Sequence, residues 1–175
     1  FTQTWFRDLE ECAQIVEKLF PSHDVWVSMA HFPSPTQSRE AKHAQKLCSY
    51  WFDIDAHPGS EYQTIEEVES ALENFMQKSG LVKPTIVHKT GYGVHCLWSL
   101  AQALPVNEWK PVASKLQTLA QTLGLGIDPI TADPARILRV PGTLNFRNPD
   151  QPRLTSVEIL SDELISCDIF SKSVF

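Results

Sequence analysis

The sequence predicts an α/β chain of the α+β kind, built on a mixed or antiparallel sheet. Three segments carry that expectation. "LCSYWFDID" alternates as a strand. "PTIVHKTGYGVHCLWSL" reads as two short strands about a glycine turn. "TIEEVESALENFMQKSG" has the periodicity of a helix. Strands and helices intermingle along the chain, which is the pattern of a layered sheet-and-helix domain. At 175 residues, one domain covering 1–175 is expected, with a substantial core. The chain starts at Phe1 without an initiator methionine, and we expect a domain excised from a longer protein.

The elements follow in order. "DLEECAQIVEKLF" places Leu9, Cys12, Val16, Leu19 and Phe20 at helical spacing, and "HDVWVSMAHF" then alternates like a strand. "PSPTQSREAKHAQK" is polar and rich in Pro and Ser, so a loop is expected there. In the strand that follows, Cys48, Tyr50, Phe52 and Ile54 face one way, and Ser49, Trp51, Asp53 and Asp55 face the other. Thr64 and Glu67 form a capping box for the next helix. Ile65, Val68, Leu72, Phe75 and Met76 form its buried stripe, and Gly80 stops it. After the hairpin, "NEWKPVASKLQTLAQTLG" is a helix with Asn107 as N-cap and Gly124 as stop. "GLGIDPITADPARILRVPGTLNFRNP" carries turn signals at Pro129, Asp133-Pro134, Pro141-Gly142 and Asn148-Pro149 and is expected to be irregular. "RLTSVEIL" is the last predicted strand.

Composition narrows the chemistry. No apolar run reaches membrane-spanning length and no signal peptide opens the chain, so no membrane partner is expected. Four cysteines without a Cys-x-x-Cys pair argue against a structural zinc and against a disulfide framework; they suit reduced thiols in a cytoplasmic protein. The net charge of −6 does not mark a nucleic-acid binder, yet four of the six arginines (Arg136, Arg139, Arg147, Arg153) fall within 136–153. Such a local basic cluster suits a phosphate site, and a solvated loop would have the same composition.

Three stretches could carry chemistry. Asp53 and Asp55 share a strand face, where like charges repel unless a cation lies between them. Hard carboxylate oxygens would select Mg²⁺ or Mn²⁺; a solvated strand end capping the next turn is the ordinary alternative. In "TGYGVHCLW", glycines bracket Tyr92 and allow close approach to a ligand, with His95 following on the strand; a structural histidine in a hairpin is the more ordinary reading of a lone histidine. In "GIDPITADPARILRVPGTLNFR", Asp128 follows a short apolar stretch, and Arg136, Arg139, Asn145 and Arg147 come after it. Guanidinium groups grip phosphate oxygens in pairs, although these could instead pair with Asp128, Asp133 and Asp150.

The ordered set "FDID", "GVH" and "GID", closed by "RILRVPGTLNFR", resembles the archaeo-eukaryotic primase superfamily, and in particular the primase-polymerase domains of phage and plasmid replication proteins. The resemblance spans roughly residues 48–147. It implies a small α/β unit packed on an RNA-recognition-motif-like sheet, with the active site in the cleft between them. It implies that Asp53, Asp55 and Asp128 are catalytic and hold two ions of Mg²⁺ or Mn²⁺. His95 matches the histidine that contacts the incoming nucleotide's phosphates. Arg139 and Asn145 match positions that touch the triphosphate, with Arg136 a further member. Many relatives carry a basic residue in the turn before the histidine, where this chain has Tyr92; Lys89 is the candidate to replace that charge. The implied activity is template-dependent nucleotide transfer, making primers or extending DNA. The partners are nucleoside triphosphates and a single-stranded DNA template, with a helicase domain elsewhere in the full-length protein.

Charge and position suggest Lys42, Lys46, Arg147 and Arg153 for the template, and Tyr50 or Tyr92 as a steric gate at the sugar. Asp133, just before Pro134, is expected to cap a helix; the resemblance implies Asp128, which follows a short apolar stretch as the family's third motif does, as the third metal ligand. A metal-dependent nuclease or phosphodiesterase could use the same carboxylates but leaves the arginine-rich tail unexplained. A rolling-circle endonuclease needs two adjacent histidines on one strand, and His88 and His95 are not so spaced. A non-catalytic single-strand-binding module would bind without metal.

Overall fold

The strand that ends in the two aspartates is the centre of the molecule. In the computed structural model, which describes residues 2–33 and 38–175, β3 (Lys46–Asp55) pairs antiparallel with the thirteen-residue β5 (Gly93–Pro105). The expected loop before β3 includes 34–37, which, like Phe1, lie outside the described residues. With β2 (Ala30–His31), β4 (Ile86–Lys89) and β9 (Ser156–Ile159), these strands form a five-stranded sheet in the order β2-β3-β5-β4-β9. Every pairing in it is antiparallel. A separate two-stranded ribbon joins β1 (Trp26–Ser28) to β6 (Ile137–Arg139), and a second joins β7 (Leu144–Asn145) to β8 (Arg153–Leu154).

Among the described residues, four helices surround this framework. α1 (Leu9–Leu19) is capped by Asp8, whose carboxylate accepts from the Glu11 amide at 2.9 Å. α2 (Ile65–Ser79) starts at the Thr64 cap and ends at Gly80, whose φ of 64° makes the left-handed stop that glycine adopts without strain. α3 (Val106–Thr122) begins earlier than the sequence predicts. Asn107 is not its cap: the Val106 amide donates to the Gln45 carbonyl at 3.1 Å, so β5 runs into the helix with no side-chain cap. α4 (Cys167–Val174) has no counterpart among the predicted elements. "RLTSVEIL" is two strands, not one, because the Thr155 amide turns aside to donate to the Thr143 carbonyl. Asp133 caps no helix. Its carboxylate accepts from the Ala135 amide at 2.9 Å in a local turn that leads into β6.

Alternation along β3 gives it two different faces. Tyr50, Phe52 and Ile54 pair in register with Trp98, Cys96 and Val94, and all six are fully buried. Phe52 packs edge-on against Phe75 of α2, with ring centroids 5.4 Å apart. Tyr50 stacks on Phe170 of α4 at 4.5 Å and on Trp109 of α3 at 5.7 Å. Each such ring contributes roughly 1.5–3 kcal/mol by leaving water. Two indole N–H groups are satisfied: Trp109 donates to the Ser49 carbonyl at 2.9 Å and Trp98 to the Val82 carbonyl at 2.7 Å. Tyr50 is thus a core residue, and it is not available as a gate at a sugar.

The other face carries the polar row. Asp53 lies opposite His95, His95 lies opposite His88, and Asp55 lies opposite Gly93. Gly93 is required by close approach, since a β-carbon there would overlap the Ile54 carbonyl. Gly93→Ala is therefore expected to destabilise the fold by about 1–3 kcal/mol in urea denaturation, with β3 and β5 forced apart beside the aspartates.

Candidate active-site cleft

Two backbone decisions bring distant carboxylates together. The extended run before Asp128 lies along β3, and the Asp128 amide donates to the Asp53 carbonyl at 2.8 Å. The chain then turns at Pro129. Thr131 closes the turn by donating through its hydroxyl to the Asp128 carbonyl at 2.7 Å. From α3, Lys110 donates to the Ala132 carbonyl and Gln117 to the Pro129 carbonyl at 2.5 Å; Arg39 donates to the Ala135 carbonyl. This bracing delivers Arg136 to the polar face of the sheet. Its Nη2 donates to Asp53 Oδ2 and, at 2.6 Å, to Asp128 Oδ2.

The two carboxylates thus converge on a single point. Asp53 also meets His95 Nε2 at 3.4 Å. Burial works against ionising Asp53 more than any other single influence, but His95 and then Arg136 together outweigh it and hold the carboxyl down at about 2. Arg136 is half-buried. Burial alone would disfavour its charge, yet Asp53 and Asp128 push its proton affinity up. Asp55 stands at the end of β3, largely exposed, with its carboxylate 3.8 Å from His57 Nε2.

A cleft of ≈ 480 Å³ opens over this row, and Asp53, Asp55, His95, Arg136, Arg139, Asn145 and Arg147 all line it. Arg139 is held rather than loose. Its Nη1 donates to Asp24, the same carboxylate oxygen takes the Phe146 amide at 3.0 Å, and its guanidinium lies over the Trp26 ring at 4.8 Å. Asn145 is a clamp: its amide donates to the Thr90 carbonyl at 2.7 Å and accepts from the Arg147 amide at 3.0 Å. At the rim, Tyr92 lies beneath the guanidiniums of Arg153 at 4.1 Å and Arg147 at 5.5 Å.

Not every basic residue singled out in the sequence reaches the cleft. Lys89 points to the helix side of the sheet and pairs with Glu69 of α2 at 2.6 Å. Lys42 pairs with Glu40 at 2.9 Å in the short 3₁₀ turn Ala41–His43. Lys46 opens β3, seven residues before Asp53 and so roughly 23 Å away along the strand.

Two contributors carry no sequence signal that singles them out. Asp24 and Trp26 lie in a segment whose only mark is alternation, and the Arg139 that engages both is more than a hundred residues away. His88 is different. The hairpin's glycines fix the turn about Tyr92, and antiparallel register then sets His88 opposite His95, with ring centroids 5.1 Å apart. The two histidines are adjacent after all, but on neighbouring strands rather than along one.

The donor set suits hard divalent cations. Two carboxylate oxygens already meet around one positive nitrogen, and Asp55 emerges on the same face. Among the described residues, no three His, Cys, Asp or Glu side chains are gathered closely enough to form a complete cage. Completing one would require Asp55 to turn inward and Arg136 to withdraw.

No protein-family model matches the chain, and no curated protein matches it. Among solved structures, it matches the AEP domain of the primase-polymerase of cyanophage S-2L, with a TM-score of 0.70 over 93% of this chain and 76% of that one, at 14% identity. The chain shares the fold of that primase-polymerase AEP domain, the fold that the ordered motifs lead one to expect. No helix among the described residues is long and apolar enough to cross a membrane.

His88 supplies a pH test of this architecture. It is fully buried, and burial, followed by the charges of His95 and Arg139, lowers its proton affinity to about 3. The folded chain therefore keeps it neutral, while the unfolded chain takes up a proton below about pH 6.5. The stability that comes with the neutral ring is fully present above that pH and is lost as pH falls toward 3. Between about pH 7 and pH 4.5 the unfolding free energy should drop by ~1–3 kcal/mol on this account, and His88→Leu should remove that part of the slope in urea titrations.

Proposed function

We propose that this chain is a template-dependent nucleotidyltransferase that makes primers or extends DNA from nucleoside triphosphates. The observation that carries this reading is that Asp53, His95 and Arg136 line one cleft and that Arg136 joins Asp53 to Asp128, on a primase-polymerase fold. Asp53, Asp55 and Asp128 are the residues that would hold Mg²⁺ or Mn²⁺. When bound, two such ions lower the pKa of the attacking 3′-hydroxyl and neutralise charge on the phosphate in flight.

The remaining roles belong to the chain itself. His95 faces the cleft through Nε2 and donates to a phosphate oxygen when the triphosphate enters. Arg136 and Arg139 supply positive charge to the β- and γ-phosphates. Asp24 and Trp26 keep the Arg139 guanidinium in one orientation, so little order is lost when it meets its ligand. Asn145 acts by tying the turn at Thr90 to the bend at Arg147, which fixes the width of the cleft. The template lies along the Arg147–Tyr92–Arg153 rim, where guanidinium and aromatic planes accept nucleobases and phosphates without regard to sequence. Lys42 and Lys46, at the far end of β3, are not part of this path.

The direct test is to incubate the chain with single-stranded template, with and without primer, with each nucleotide set, in Mg²⁺ or Mn²⁺, and to size the products. Asp53→Asn and Asp128→Asn are expected to lower incorporation by about 10²-fold or more, and Asp133→Asn to leave it near wild type. Degradation of the template in place of extension would instead identify a nuclease. Arg153→Ala should weaken template binding and reduce its salt slope by about 0.7, the share of one phosphate contact on a single strand, while nucleotide affinity holds.

A further inference from the structure

Arg136 occupies the point where a cation would sit. Its Nη2 is bonded to Asp53 Oδ2 and Asp128 Oδ2 at once, and a hard divalent ion would need those same oxygens. Two positive groups cannot share that point. The backbone at Arg136 is fixed: its amide donates to the Asp133 carbonyl at 3.0 Å and its carbonyl accepts from the Met29 amide at 3.0 Å. The head of the side chain is less completely bound. Nε is buried and has no hydrogen-bond partner, an unmet donor beside two that are met. Such a donor is satisfied when the guanidinium turns to an acceptor with several oxygens, and a triphosphate offers them in the same cleft.

We propose that Arg136 is a displaceable counter-ion. Without substrate it offsets half the charge of the Asp53–Asp128 pair. When a triphosphate presents its oxygens, Arg136 moves to them and yields its position to the divalent cation. The inference rests on reading the cleft as a metal–triphosphate site. The exchange leaves neither the carboxylates nor the guanidinium buried without a partner, and the divalent ion balances the two carboxylates fully. It also makes cation binding and triphosphate binding cooperative beyond direct chelation, and such coupling is reciprocal.

The test is a titration of the 175-residue chain with Mn²⁺ alone, read by calorimetry and by the electron paramagnetic resonance of free Mn²⁺. It is then repeated with saturating α,β-imido nucleoside triphosphate. Wild type is expected to bind Mn²⁺ weakly on its own. Arg136→Gln should bind Mn²⁺ alone about tenfold more tightly or better, because the competing charge is gone, and Arg136→Lys should fall between. The analogue should raise Mn²⁺ affinity by a smaller factor in Arg136→Gln than in wild type. Removing the guanidinium leaves the carboxylates repelling each other, so the melting temperature of Arg136→Gln should rise more on adding Mn²⁺ than that of wild type. If Arg136→Gln does not fold in metal-free buffer, Mn²⁺ should restore its circular dichroism, and the Arg136→Lys affinity decides the issue.

Equal Mn²⁺ affinity in wild type and the Arg136 variants would overturn the proposal. If wild type nevertheless incorporates nucleotides, only the counter-ion role fails. If wild type incorporates none while the Arg136 variants still gain Mn²⁺ affinity, the counter-ion role stands and the polymerase reading fails.

Discussion

Asp53 and Asp128 are two carboxylates held together in a half-buried cleft, and their mutual repulsion is the constraint around which much of the chain is arranged. In water they would stay apart. Here the Asp128 amide is anchored to the Asp53 carbonyl, so the side chains cannot separate without breaking the backbone pairing. A positive group must then stand between them, and Arg136 does so. That requirement explains why an irregular segment needs so much bracing. Lys110, Gln117 and Arg39 each donate to a carbonyl between 129 and 135, and each bond fixes the loop that carries both Asp128 and Arg136. Loop segments are ordinarily the mobile parts of a domain, and this one is tied to a helix because the charge balance at its two ends depends on position.

The strand beneath resolves a second conflict. Aspartate is a poor strand former, yet β3 carries two in its last three residues. The cost is offset on the opposite face. Tyr50 and Phe52 are locked against α2, α3 and α4 by stacked and edge-on rings, with Ile54 fully buried beside them, so a one-residue slip in register would drive carboxylates into an aromatic core. The aromatic packing therefore keeps the aspartates facing the cleft. α4 contributes to this through Phe170, which links the C-terminal end of the chain to the positioning of residues at the site.

What could be read from the sequence follows the same division. β3, α2 and the hairpin are visible because each has one apolar face with a clear period, and Thr64, Gly80 and Gly93 punctuate them with residues whose chemistry has few alternatives. The ordered aspartates and histidine pointed to the cleft for the same reason. The start of α3 was not legible, because its first amide is satisfied by Gln45, more than sixty residues upstream, and no local cap was needed. α4 was hidden in a short segment of eight residues whose helix depends on packing against Tyr50 and Trp98. Lys89 was misjudged for want of one fact: it alternates with His88, so a strand that turns His88 toward His95 must turn Lys89 toward α2. The arginines of "RILRVPGTLNFR" were recognisable as a group, but which one meets Asp53 and which meets Asp24 is decided only by tertiary contacts.

The balance of charge in the cleft bears on how an anionic substrate enters at all. The chain as a whole carries −6, so its long-range field repels anions. At the site, Asp53 and Asp128 share the single positive charge of Arg136, and Asp24 is matched by Arg139. The floor therefore keeps an excess of negative charge, and the less committed positive charge lies at the rim, where Arg147 and Arg153 stack on Tyr92. Under the proposed function, a template would be caught there at short range. A bare triphosphate would gain less, because each arginine on the floor must first release a carboxylate. A triphosphate that arrives with its divalent cations would bring the charge that the released carboxylates need. On that reading the negative floor favours the metal–nucleotide complex over a bare triphosphate, and that selectivity follows from the pairing of Arg136 with two aspartates rather than from any excess of positive charge.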